Sequence, residues 1–223
     1  MIARFRAKAP SRHHNLPPRD DLAGWLFLMQ HYRLPTRLLD WTESPLVACY
    51  FAAASDPAIE DHPDQIEDAD GALFALSPYV LNELSLGRRV LQLPDDPEAA
   101  RAIQSAFRGS VSDPGSVLAV RPSEVDIRLM VQLAVLTLHD TKLPLEDLPL
   151  AGRFYRKFLV PLAAKQSLRN DLKRIGVRES SLFPDLEHLA HEVGSTKFGK
   201  PYPPADVPQT AALFIPEDGE DST

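Results

Sequence analysis

Residues 30–53 read QHYRLPTRLLDWTESPLVACYFAA. They bring together a carboxamide (Gln30), an imidazole (His31), a guanidinium (Arg37), a carboxylate (Asp40), an indole (Trp41) and the hydroxyls of Thr36 and Thr42. A strand over 36–41 places Thr36, Leu38 and Asp40 on one face and Arg37, Leu39 and Trp41 on the other. Arg37 and Asp40 therefore cannot pair along the strand. Each needs its own partner, because a half-buried charge without one costs several kcal/mol. Ser44-Pro45 reads as an N-cap and first-turn proline, opening a helix over 46–54 that is apolar on every side and so expected to be buried. Two arrangements satisfy this pattern. In one, Arg37 braces the helix end at His31, Asp40 caps amides of the following turn and Trp41 is core. In the other, the same groups line a pocket, and the helix start after Ser44 offers amides to a phosphate.

The elements that must hold these groups follow from periodicity and punctuation. Residues 1–19 are basic and interrupted by Pro10, Pro17 and Pro18, an arm with Phe5 as its apolar anchor. Asp20-Asp21 then precede the helical stripe Leu22, Trp25, Leu26 and Met29, which Pro35 stops. Residues 56–70 are acidic and unpatterned, as in an exposed loop. Strands are predicted over 71–76, 116–121, 129–139 and 154–160. Helices are predicted after Ser77-Pro78, over 95–107, over 162–175 up to a left-handed Gly176, and over 185–193. The fold class is α+β, a small mixed or antiparallel sheet with flanking helices in one domain over 1–193. Residues 194–223 read as a flexible tail.

Composition narrows the function. The 223 residues are 44% hydrophobic and 25% charged with a net charge of −7, which supplies no general grip on nucleic acid. The one cysteine, Cys49, sits in an apolar run, so no internal disulfide forms and a reducing, cytoplasmic setting is expected. No run approaches the roughly 20 apolar residues that span a bilayer, so no membrane partner is expected. His13-His14 and the pair His188 and His191 lack further ligands at metal-binding spacing, and no metal is expected. Glycine-rich phosphate loops and nucleophile elbows are absent.

Taken whole, QHYRLPTRLLDWTESPLVACYFA resembles the signature of the FRG domain, a bacterial family named for a Phe/Tyr-Arg-Gly triplet. The family pattern is QH-x-G-LPTRLLDWT-x-SP-x-x-A-x-x-FA, and Arg33 stands where it has Gly. Residues 70–76 resemble the family's next strand. Residues 128–137 resemble its R-x-x-x-Q-x-G-x-F-T segment, with Ala134 and Leu136 replacing Gly and Phe. Residues 165–186 resemble its C-terminal helix and L-F-P-D-L ending. The resemblance implies that the name-giving triplet and a first strand lie upstream of the helix beginning near Ile2, and so are missing here. Phe107-Arg108-Gly109 also spells it, in a stretch read as helix by chance.

The order of parts further resembles that of ADP-ribosyltransferases, in which an Arg-bearing strand and the segment after it hold NAD. That implies an NAD-side wall from Thr36, Arg37, Asp40, Trp41 and Thr42, joined by Gln30, His31 and Arg128. Gln132 falls where the acidic catalytic residue of those enzymes lies. The expectation is an FRG-domain protein that binds or acts on a nucleotide such as NAD, with a defence or toxin setting fitting such an enzyme. The alternative is a non-catalytic ligand- or protein-binding module. Changing Asp40 to Ala separates pocket from packing.

Overall fold

The computed structural model describes residues 1–54, 69–111, 115–122 and 127–195. The first helix, α1 (Ile2–Lys8), is docked rather than free. Phe5 meets Trp25 edge-on with centroids 6.5 Å apart, and the Arg6 guanidinium lies 5.1 Å from the Trp25 ring centre. The next helix, α2 (Leu22–His31), starts on the Asp21 carboxylate, which accepts the Gly24 N–H at 2.8 Å. It buries Trp25, Leu26 and Met29, the stripe visible in the sequence.

Strand β1 (Leu38–Thr42) leads through the Ser44 cap into α3 (Pro45–Ala53). The strand begins two residues later than expected because the Thr36 hydroxyl turns back to accept the Leu38 N–H. Strand β2 (Gly71–Leu76) and helices α4 (Pro78–Leu86) and α5 (Pro97–Arg108) follow. The chain continues through β3 (Ser116–Val120), α6 (Ile127–Val131), β4 (Ala134–Asp140) and β5 (Tyr155–Val160). It closes with α7 (Leu162–Arg174), α8 (Glu179–Leu182) and α9 (Leu186–Ser195).

Among the described residues the strands make two antiparallel sheets, β1-β4-β3 and β2-β5. Cross-strand pairs Leu38–Leu138 and Leu118–Leu138 set the register of the larger sheet. One of its faces, with Leu38, Leu136, Leu138, Leu118 and Val120, packs on α2 and α5 through Leu26, Met29 and Ile103. The other face buries Val117 and Ala119 against Leu81, Leu145 and Phe154, with Trp41 and Tyr155 at the margin. The expected α+β arrangement of a small antiparallel sheet with flanking helices is what the chain forms.

Two expectations change, and a third holds. Residues 129–139 are not one strand: their start belongs to α6, a turn holds Gln132 and Leu133, and β4 begins at Ala134. Leu133 adopts φ 48°, which no strand continues through. Helix α3 is not buried all round, since Leu46 and Phe51 stay 44% and 46% exposed on its outer side. Phe107-Arg108-Gly109 is a helix end, with Phe107 on the core and Gly109 at φ 71°. The loop expected over 56–70 lies mostly outside the described residues, as does nearly all of the tail.

Candidate functional site

Residues 30–42 form a hydrogen-bond chain that ends on Asp40. The Leu38 N–H donates to Thr36 Oγ1, and the Thr36 hydroxyl donates to Gln30 Oε1 at 2.5 Å. Gln30 Nε2 in turn donates to Asp40 Oδ2 at 2.6 Å. The exit of α2, its carboxamide and the first residues of β1 thus fix one carboxylate. Asp40 is exposed, and its Oδ1 has no partner among the described residues. β1 is the edge strand of its sheet, so Asp40 stands beside open space.

That space is a cleft of about 1970 Å³, walled by the end of α2, the edge of β1, the outer side of α3 and strand β2. Of the residues expected at a site, Gln30, His31, Asp40, Trp41, Thr42, Arg128 and Gln132 line it together. Thr36 lies behind Gln30 as a relay. Arg37 is not on the wall: its Nη1 pairs with Asp140 Oδ1 at 3.2 Å, and Ser105 donates to the same oxygen at 2.8 Å. Asp140 is 3% exposed. Arg37 therefore neither braces the His31 helix end nor faces a ligand, because a buried carboxylate far along the chain claims it. Asp40 likewise does not cap the next turn. Thr42 does that, its Oγ1 accepting the Ser44 N–H at 3.0 Å while its hydroxyl donates to the Gln132 carbonyl at 2.6 Å.

Gln132 also differs from expectation. It sits in the turn after α6, and its Nε2 donates to the Leu182 carbonyl at 2.9 Å. Arg128, one turn earlier, lies 4.5 Å from the centre of the Phe183 ring. The spaced Arg and Gln are thus a clasp on the L-F-P-D-L segment, with Arg128 also on the cleft wall. The Ser44 amides are spent locally as well, since Ser44 Oγ accepts the Val47 N–H at 3.4 Å.

Sequence reasoning missed Thr137 and His139. Trp41 Nε1 donates to Thr137 Oγ1 at 3.0 Å, and Thr137 Oγ1 lies 2.9 Å from His139 Nε2. Burial pushes the His139 imidazole below the usual histidine pKa. The signal was present in the alternation of 134–140, which sets Val135, Thr137 and His139 on one face. Among the described residues no cluster of three or more His, Cys, Asp or Glu could hold a metal ion, and no helix is long and apolar enough to cross a membrane.

The hydrogen-bond chain accounts for Gln30, Thr36 and Asp40 together, and the family model described as the FRG domain matches this part of the chain, over residues 1–61. The match covers 61 of the 223 residues. In structural terms the matched segment holds the exit of α2, the relay to Asp40, the open edge of β1 and the capped start of α3. No curated protein and no solved structure matches the chain.

Proposed function

We propose that the chain binds a nucleotide, NAD or a close chemical relative, in the cleft beside Asp40. The observation that carries this reading is the fixed carboxylate itself. Gln30 and Thr36 hold Asp40 in place without neutralising it, and one oxygen remains for a ligand. Vicinal ribose hydroxyls are donors that suit an aspartate so placed. Trp41, Phe74 and Tyr155 offer flat apolar surface for bases, and Arg128 offers a cation for phosphate. A volume of about 1970 Å³ exceeds the ordinary range for small-ligand sites, so a dinucleotide fits with room left over.

Binding without turnover is the form of this reading that the geometry favours. Gln132 cannot act as a base, and its carboxamide is committed to Leu182.

Tryptophan fluorescence tests the proposal directly. Trp25 is 3% exposed with its N–H on the Pro18 carbonyl, whereas Trp41 lines the cleft. NAD should quench wild-type emission, and Trp41→Phe should remove that response. Asp40→Ala should abolish binding while melting close to wild type, because water replaces an exposed carboxylate on Gln30. Release of nicotinamide from NAD on prolonged incubation would restore the catalytic form. The absence of both quenching and binding heat at millimolar NAD would overturn the proposal.

A further inference from the structure

The second face of the β1-β4-β3 sheet carries a hydrogen-bond chain that ends at the cleft. An indole N–H can only donate, so the direction of the first link, Trp41 Nε1 to Thr137 Oγ1, is fixed. Thr137 is fully buried at 0% exposure, and a hydroxyl proton left without an acceptor there is costly. Its available acceptor is His139 Nε2 at 2.9 Å. A neutral imidazole that accepts at Nε2 carries its proton on Nδ1. Burial favours the neutral ring, and the Thr137 hydroxyl selects which nitrogen carries its proton. His139 lines the cleft, and its Nδ1–H has no partner among the described residues.

The surroundings select the acceptor that this N–H would meet. Leu145, Glu146 and Tyr155 line the same cleft, and Tyr155 stacks on Phe74 with centroids 5.5 Å apart and planes at 16°. The Tyr155 pKa is raised by burial and by the Glu146 charge, and the Lys157 ammonium lies 5.7 Å from the Phe74 ring centre, so both signs of charge border this wall. A flat ring suits the stacked pair, and an amide N–H₂ on it would suit the Glu146 carboxylate.

We infer that His139 is a ligand contact of the cleft, presenting Nδ1–H to the carbonyl of a pyridine carboxamide, the nicotinamide end of NAD. Thr137 is its positioning residue. Asp40 and His139 lie on opposite faces of the sheet, so the inference, which rests on the nucleotide reading above, adds a path round the open edge of β1, with nicotinamide toward His139 and ribose toward Asp40.

The test is long-range proton–nitrogen spectroscopy of the ¹⁵N-labelled full chain, free and titrated first with nicotinamide and then with NAD. The expected result is Nδ1–H with bare Nε2 in the free protein, and movement of the His139 signals on adding nicotinamide. Thr137→Ser should preserve both. Thr137→Val should lose the tautomer preference and weaken nicotinamide about tenfold, one hydrogen bond's worth. Should Thr137→Val fail to fold, the wild-type titration alone decides. A proton found on Nε2, or His139 signals unmoved by both nicotinamide and NAD, overturns the inference. If NAD binds while His139 stays silent, the nucleotide reading survives and this one does not. If nicotinamide moves His139 while NAD gives neither heat nor quenching, the nucleotide reading falls and takes the proposed orientation with it.

Discussion

Arg37 and Asp40 stand three residues apart in the same motif, yet their side chains do opposite work. Arg37 reaches Asp140 with its guanidinium 24% exposed, while the carboxylate is 4% exposed. A pair this enclosed contributes little on its own, but removing the guanidinium takes a countercharge away from a buried carboxylate. Arg37→Ala should therefore lower stability by about 3 kcal/mol in urea melts, the low end of the range for a buried pair because Ser105 still donates to Asp140. It should leave the NAD affinity of the folded fraction unchanged. Asp40→Ala should show the opposite pattern, which makes the two substitutions mutual controls. A loss of affinity in Arg37→Ala at constant fold would place the guanidinium at the ligand.

At the scale of elements, three helices end in the same way. After α5, Gly109 N–H bonds the Ala106 carbonyl and Ser110 N–H the Ser105 carbonyl. After α7, Gly176 and Val177 repeat the pattern onto Lys173 and Leu172, and after α2, Arg33 and Leu34 repeat it onto Gln30 and Met29. The left-handed residue in this motif is normally glycine, as it is at φ 71° and φ 90° in the first two. In the third it is Arg33 at φ 56°, a conformation costing an L-residue about 1–2 kcal/mol. Arg33→Gly should thus stabilise the chain by about 1 kcal/mol net of glycine's added chain entropy, raising Tm by about 2–4 °C in calorimetry. An unchanged or lower Tm would mean that the Arg33 side chain holds more than its backbone loses.

The same helix ends show what was legible in the sequence. Gly176 announced the end of α7, Ser44-Pro45 the start of α3 and the spaced Leu22, Trp25, Leu26 and Met29 the inner face of α2, because each is a local signal. The partner of Arg37 was not legible, since Asp140 lies over a hundred residues away and pairs only once β1 and β4 are in register. Residues 129–133 misled for a related reason. Their apolar run suits a strand as well as a helix, and it is tertiary contact that decides, Arg128 on Phe183 and Gln132 on Leu182. At the site, Asp40 and Trp41 were legible from residue type, but Thr137 and His139 needed the fold to become a chain.

For the whole molecule, the cleft is where two separate sheets are brought side by side. Helix α3 connects them: it follows β1 directly and meets β2 at Gly71, where a Cβ would overlap the Ala52 carbonyl oxygen. Helix α7 reinforces the junction, with Arg169 donating to the Ala53 carbonyl at 2.6 Å. A ligand spanning from Asp40 to the Tyr155 wall would touch both sheets and bind only when both are formed. Its binding energy then adds to global stability, by about 2.7 kcal/mol at a hundredfold excess over Kd. For a chain of this size that amounts to a Tm rise of about 5–10 °C. Arg37→Ala should start from a lower Tm and gain the same increment with NAD. Asp40→Ala should start near wild type and gain none.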